Sequence, residues 1–287
     1  MAYHIAVDSS SVNSEVKVLC AVVHGLYQPW ISILENGQAP TWLSDGFPKN
    51  FSVVHFHGRP VGSLGRGIDR VHEKIRWGGR VPNQILRIID RILMFPFLIS
   101  IPKVTISNSL PARIPGIRIE WPDIYATLRW KDLAIIEYFC KKTDFDFLFM
   151  TTSSSYIRPF KLIEYCSKFE VGDVYAGSKP YPDAEFVSGA NRILSRSTAE
   201  AVLSSRVFWD PAVIEDVALG DLIRKNGIEY QSYDQCDIPS LEYLESLSDE
   251  MLLSNYHFRV KSGSINERQD VQIMKRLSER FKQIESK

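Results

Sequence analysis

The chain has 287 residues, of which 45% are hydrophobic and 24% charged, and its 34 Lys+Arg balance 34 Asp+Glu. That is an ordinary globular composition, and zero net charge implies no overall attraction to nucleic acid or to a membrane surface. No apolar stretch of about 18 residues exists to span a bilayer, and the opening MAYHIAVDSSSV lacks the pattern of a signal peptide.

The length fits one large α/β domain or two small ones. Charge is uneven along it: Arg59 to Arg91 holds eight Lys/Arg against three Asp/Glu, and Asp210 to Glu250 holds eleven acids against two bases. The four cysteines, Cys20, Cys140, Cys166 and Cys236, form no CxxC pair and read as buried free thiols in a reducing compartment.

In chain order, His4 to Val7 reads as an extra edge strand and Val16 to Gly25 as a buried parallel strand ending at glycine. A short helix over Gln28 to Asn36 and a strand over Phe51 to His57 follow. Ile117 to Trp121 is a third strand. Tyr125 to Cys140 is a helix whose Leu128, Leu133, Ile136 and Phe139 make a broad apolar face. Phe145 to Met150 is a central apolar strand, Lys161 to Phe169 a helix and Val174 to Ala176 a strand. Ser197 and Glu200 form a capping box for another helix, and Glu215 to Asn226 is a helix stopped by Gly227. Glu229 to Tyr233 is a late strand. Asn266 with Gln269 caps a last helix with Met274, Leu277, Phe281 and Ile284 on one stripe. Alternating βα units of this kind imply one mostly parallel twisted sheet with helices on both faces, and a ligand at the carboxyl ends of its strands.

Two segments carry the chemistry. Ile214-Glu215-Asp216-Val217-Ala218-Leu219-Gly220 opens a helix on adjacent carboxylates, and the turn Ser188-Gly189-Ala190-Asn191 lies upstream, where backbone can approach a ligand closely. Their order and spacing resemble the "SGGGYVLSR … EDVYVG" pair of β-1,3-galactosyltransferases and Fringe-type glycosyltransferases, which have a GT-A fold. Asp146 to Tyr156 falls where that family carries "DYVLKTDDDVF", but Thr152-Ser153-Ser154 stands in place of its metal-binding Asp triplet. Asp123-x-Tyr125-x-Thr127-Leu128-x-x-Lys131 is similar to the family's "DxYxNLTxKT" helix start beneath the donor site, although capping explains Asp123 equally well.

The resemblance implies a GT-A-like domain over 1–265, interrupted by a basic insertion at 62–100 and followed by a C-terminal helix at 266–287. It implies an inverting transferase in which Asp216 removes the acceptor hydroxyl proton, kept ionised in the first helical turn by the macrodipole. Glu215, Ser188, Gly189, Ala190 and Asn191 would face the acceptor. His24, Lys131 and the hydroxyls of Thr152, Ser153 and Ser154 would face a nucleotide-sugar donor, UDP-linked in the family. Hydroxyls replace carboxylates poorly as ligands for a hard metal, so no divalent metal is expected. The leaving diphosphate would then be met by His257, Arg259 and Lys261, which share one face of a strand, or by Arg192 or Lys179. His55-Phe56-His57 has a spacing that could seat a metal, but reads as core strand.

The insertion interleaves Arg66, Arg70, Lys74, Arg76, Arg80, Arg87 and Arg91 with Trp77, Ile88, Leu93 and Phe97. An amphipathic helix over 66–99 suits peripheral contact with an anionic membrane, and equally suits an ordinary helix with its apolar side in the core. Animal members of the family have an N-terminal anchor that this chain does not show. The expectation is therefore a cytoplasmic enzyme, either free or at the inner face of a membrane, acting on a glycan or lipid-linked glycan, with bacterial surface polysaccharide assembly as one such setting. A catalytically inactive nucleotide-sugar or carbohydrate-binding protein on the same frame is the alternative.

Overall fold

A computed structural model describes residues 16–62, 101–108, 116–123, 127–170, 172–210, 213–232, 236–263 and 268–286, with 67, 110 and 114 singly. The expected edge strand at 4–7, the expected basic helix at 66–99 apart from 67, and Asn266 lie outside them. The chain enters the sheet through β1 (Val18–Val23). A short turn α1 (Trp30–Ser32) runs on as a π-helical segment, Ile33–Gln38. Then come β2 (Phe51–Arg59), β3 (Val104–Ser107), β4 (Gly116–Pro122), α2 (Leu128–Lys142), β5 (Phe147–Thr152), β6 (Ser155–Ile157) and α3 (Pro159–Cys166). The rest comprises β7 (Tyr175–Gly177), β8 (Asn191–Ser195), α4 (Arg196–Ser204), α5 (Glu215–Lys225), β9 (Tyr230–Ser232), β10 (Cys236–Asp237), α6 (Leu241–Ser246), α7 (Asp249–Ser254), β11 (His257–Arg259) and α8 (Asp270–Glu285).

Among the described residues, eight strands form one sheet in the order β3-β4-β2-β1-β5-β8-β7-β9, and β10-β11-β6 form a second, small sheet. In the large sheet β3 and β8 alone run against the other six, so the sheet is mostly parallel. Strands buried on both faces carry apolar side chains on both. In β1, Val18, Cys20 and Val22 enter one core cluster, and Leu19 and Ala21 enter the other. The first cluster is closed by α3, α8 and the π-helical segment, the second by α2, α4 and α5. Residues 133–136 of α2 are all buried, and each large aliphatic side chain so placed contributes about 1.5–3 kcal/mol.

The sequence-level expectations hold for the mixed α/β class and for most elements, with corrections. The cap of α4 is Ser195, which accepts from the Thr198 amide, two residues before the expected Ser197. The short strands β3 and β6 were not foreseen. Beyond Ser32 the short helix is π-helical, with the Ala39 amide bonded to Leu34 O at 2.9 Å. The C-terminal helix packs on the sheet: Ile273, Met274, Leu277 and Phe281 are part of the first core cluster. His55 and His57 are fully buried core residues, as read, bonded to Gln38 and Ser107. All four cysteines are free, and no helix of the described residues is long and apolar enough to cross a membrane.

Gly177 closes β7 at φ +152°, and a Cβ there would sit 1.9 Å from the Asn191 carbonyl oxygen. Neither the conformation nor the space suits a side chain. Gly177→Ala is therefore expected to destabilise the fold by about 2–4 kcal/mol, read from chemical denaturation.

Candidate functional site

The chain passes from β1 to β2 and β4 on one side of the sheet and returns to β5 on the other. Open α/β sheets bind ligands at the carboxyl ends of the strands flanking such a switch point. A cleft of about 280 Å³ lies there, lined by His24, Gly25, Tyr27 and Trp30 after β1 and by Thr152, Ser153 and Ser154 at the end of β5. Asp123, Lys131, Glu215, Arg259 and Lys261 complete its polar wall. Eight of the residues singled out from the sequence thus converge: His24, Lys131, Thr152, Ser153, Ser154, Glu215, Arg259 and Lys261.

The loop after β5 is pinned from three directions. Ser153 Oγ donates to Val23 O at 2.8 Å, Gln38 Nε2 donates to Ser153 O at 2.8 Å, and the Val260 amide donates to Ser154 O at 2.8 Å. Ser154 Oγ accepts from Arg268 at 2.6 Å. Both serines are buried, so the expectation that their hydroxyls reach a donor is corrected: Ser153 has spent its proton on Val23, and only Thr152 is partly exposed. Because Ser153 donates to Val23, it can only accept from His24 Nδ1, 3.3 Å away. Burial pushes the His24 pKa down to about 4, so the ring is neutral at neutral pH.

Lys131 and Asp123 form a buried ion pair at 2.6 Å. Asp123 also accepts from the Leu26 and Gly58 amides, each at 3.1 Å. Burial alone would raise its pKa, but the Lys131 ammonium and these amides hold the carboxyl below its usual value. Arg268 stacks over Trp30 at 4.7 Å and pairs with Asp270 at 2.5 Å. It was missed because nothing local marks it; its contacts cross from the start of α8 to the other end of the chain. Tyr27 and Trp30 were missed too, although two aromatics just past a β1 carboxyl end were a legible signal.

The carboxylates at the start of α5 have different neighbours. Glu215 lines the cleft. Asp216 instead accepts from the Gly189 amide at 3.3 Å and from the Val217 amide at 2.9 Å. Its pKa is raised, by burial, rather than held down by the helix dipole. Glu215 is pushed further, to about 7, by burial first and then by Asp132 and Asp216, against the pull of Arg192. Beneath them Arg192 pairs with Asp132 at 2.6 Å, both wholly buried. Arg192 therefore cannot meet a diphosphate, which corrects that candidate.

His257 is the second correction among the cations. It is fully buried, lies 2.9 Å from Ser155 Oγ and is held neutral by burial, with a pKa of about 3. Arg259 and Lys261 remain in the cleft wall; partial desolvation, with Arg259 and Arg268 nearby, lowers the Lys261 ammonium. Lys179 lies over the Tyr230 ring at 5.0 Å, at another cavity. Of the acceptor-side turn, Ser188, Ala190 and Asn191 are buried, and Asn191 accepts from Tyr256 at 3.0 Å. Gly189 alone keeps surface, and a methyl there would lie 3.5 Å from Glu215 Oε1 and 3.6 Å from Asp216 Oδ2. Among the described residues, no group of three or more His, Cys, Asp or Glu side chains could hold a metal ion.

No protein-family model matches the chain, and no curated protein matches it.

The Glu215 environment has a thermodynamic sign. A carboxyl whose pKa rises from an unfolded value near 4.3 to about 7 on folding loses stabilisation as pH climbs between those values. Glutamine mimics the protonated acid. Glu215→Gln and the parent are expected to unfold at similar denaturant near pH 4.5. By pH 8 the variant should be more stable by about 2–3 kcal/mol. Parallel stability curves from pH 4.5 to 8 would refute this reading.

Proposed function

We propose that the chain is an inverting glycosyltransferase of GT-A-like fold, similar to β-1,3-galactosyltransferase and Fringe-type enzymes. It would move a sugar from a nucleotide donor to a hydroxyl of a glycan or lipid-linked glycan. The observation that carries the reading is the company Glu215 keeps. A carboxyl with a pKa of about 7 shares one cleft, at the switch point of the sheet, with Arg259, Lys261 and two aromatic rings.

Inverting transfer needs a base within reach of the acceptor oxygen, and a pKa near working pH suits it best. Glu215 takes that part here, with Asp216 holding the Gly189 amide behind it. As the acceptor oxygen attacks the anomeric carbon, Glu215 receives its proton, and the bond to the nucleoside diphosphate breaks. The diphosphate leaves with about one added negative charge, which preorganised cations stabilise; Arg259 and Lys261 are placed to supply it. Tyr27 and Trp30 offer faces for a base, and a UDP-linked donor follows from the family resemblance. Action in the cytoplasm at a membrane face, with 66–99 as the contact, belongs to the same proposal.

A thermal-shift screen of nucleotide sugars tests donor binding, and transfer to β-glycosides tests catalysis. Glu215→Gln is expected to lower transfer by about 10²–10⁴-fold with donor affinity retained, and Asp216→Asn by less. A donor that binds but is never transferred would point to the binding-only alternative.

Arg259→Gln or Lys261→Gln should each weaken nucleoside-diphosphate binding by about 1.5–3 kcal/mol, measured by calorimetry. Chelation with EDTA is expected to leave both binding and transfer intact. A strict manganese or magnesium requirement would sink the metal-free part of the mechanism.

A further inference from the structure

Four cations stand in or behind the wall of the cleft, and three of them already have a carboxylate. Lys131 is held by Asp123 at 2.6 Å, Arg268 by Asp270 at 2.5 Å, and Arg259 lies 3.9 Å from Asp237. Lys261 alone has no hydrogen bond or carboxylate partner among the described residues. Its side chain is exposed, so a solute can reach the amine. Val260 is buried while its neighbours on both sides reach the cleft, so Arg259 and Lys261 stand side by side.

That company changes what the amine can do. Partial desolvation first, then the charges of Arg259 and Arg268, make the Lys261 ammonium give up its proton more readily than an ordinary lysine does. Asp270 pulls the other way, but Arg268 and Ser262 already hold it. A lysine amine beside other cations is an activated nucleophile. An ordinary lysine, with a pKa of about 10.4, presents about one free amine in 250 at pH 8, so a modest lowering multiplies the reactive fraction. Lys131 cannot compete, because it is buried and ion-paired. The guanidinium of Arg259 supplies the second half of a site, a planar donor set that suits phosphate. A reagent that matches both groups carries a phosphate bonded directly to an acyl carbon.

We propose that Lys261 is a modification site, N-acylated by small acyl phosphates that Arg259 captures. The phosphate rests on Arg259 while the free amine attacks the acyl carbon. The N–C bond forms, the C–O bond to phosphate breaks, and phosphate leaves with the bonding pair. It takes up the proton that the amine nitrogen loses. The product is a neutral amide, and the cleft loses its unpaired ammonium. Under the proposed transfer reaction this withdraws a cation from the departing diphosphate and slows turnover; only that consequence rests on the transferase reading.

The test uses the whole chain at pH 8 with acetyl phosphate and no nucleotide sugar, and mass spectrometry to time acetylation at each lysine. Lys261 is expected to react about tenfold faster than the exposed Lys49, Lys103 and Lys225. Excess inorganic phosphate should slow Lys261 and leave those three unchanged, and Arg259→Gln should bring it toward their rate. Acetic anhydride, which has no phosphate to capture, should show a smaller preference for Lys261. The proposal is overturned if Lys261 reacts no faster than those lysines, if the anhydride shows an equal lead, or if the lead survives both excess phosphate and Arg259→Gln. Diphosphate binding by the acetylated chain is measured separately by calorimetry, so a failure of the transferase reading leaves the labelling result standing.

Discussion

The site is held together by one buried carboxylate. Asp123, at the end of β4, accepts from the Leu26 amide beyond β1, from the Gly58 amide in β2 and from Lys131 in α2. Parallel strands share no hairpins, so nothing local keeps their carboxyl ends in step. Asp123 ties three such ends and one helix into a single frame. It also neutralises Lys131, whose ammonium would otherwise stand alone in a low-dielectric wall, where an unpaired charge is strongly destabilising.

A second buried pair does comparable work on the other side of the cleft. Arg192 and Asp132 link β8 to α2, and with Asp216 they surround Glu215 by two carboxylates and one guanidinium. That excess of negative charge, added to burial, is why Glu215 holds its proton to near neutrality. The same arrangement explains why Asp216 and Glu215, adjacent in sequence, behave differently. Successive helical residues point about 100° apart; one side chain meets the Gly189 amide and the other the open cleft.

Periodicity and breakers made most of the fold legible, because long elements have one dominant reason to form. The runs at β1 and β5 are apolar on both faces, and Gly227, at φ +75°, stops α5 as read. What escaped were elements made by tertiary contact: β6, three residues long and paired to β11, and the π-helical segment. In the site, residue types on the right loops were legible: Glu215, Arg259, Lys261 and the Thr152 loop all reach the cleft. Burial was not. His257 looked like a cation beside two others, yet its position under Thr151 and Ser155 depends on how the small sheet packs. Arg268 joins the site through contacts that no short motif encodes, whereas Tyr27 and Trp30 follow directly on the end of β1.

The loop after β5 carries a last consequence. It is bonded on three sides before any ligand arrives, twice through its backbone carbonyls and once through Ser153 Oγ, so it is a rigid mould rather than an adaptable flap. Little conformational entropy is left there to lose on association, and shape at that wall is dictated by side chains alone. Thr152 is the one position of the three whose side chain can be exchanged without breaking a bond of the frame. Variation in what this fold accepts should therefore collect at Thr152, while Ser153 and Ser154 stay constrained by the scaffold they brace.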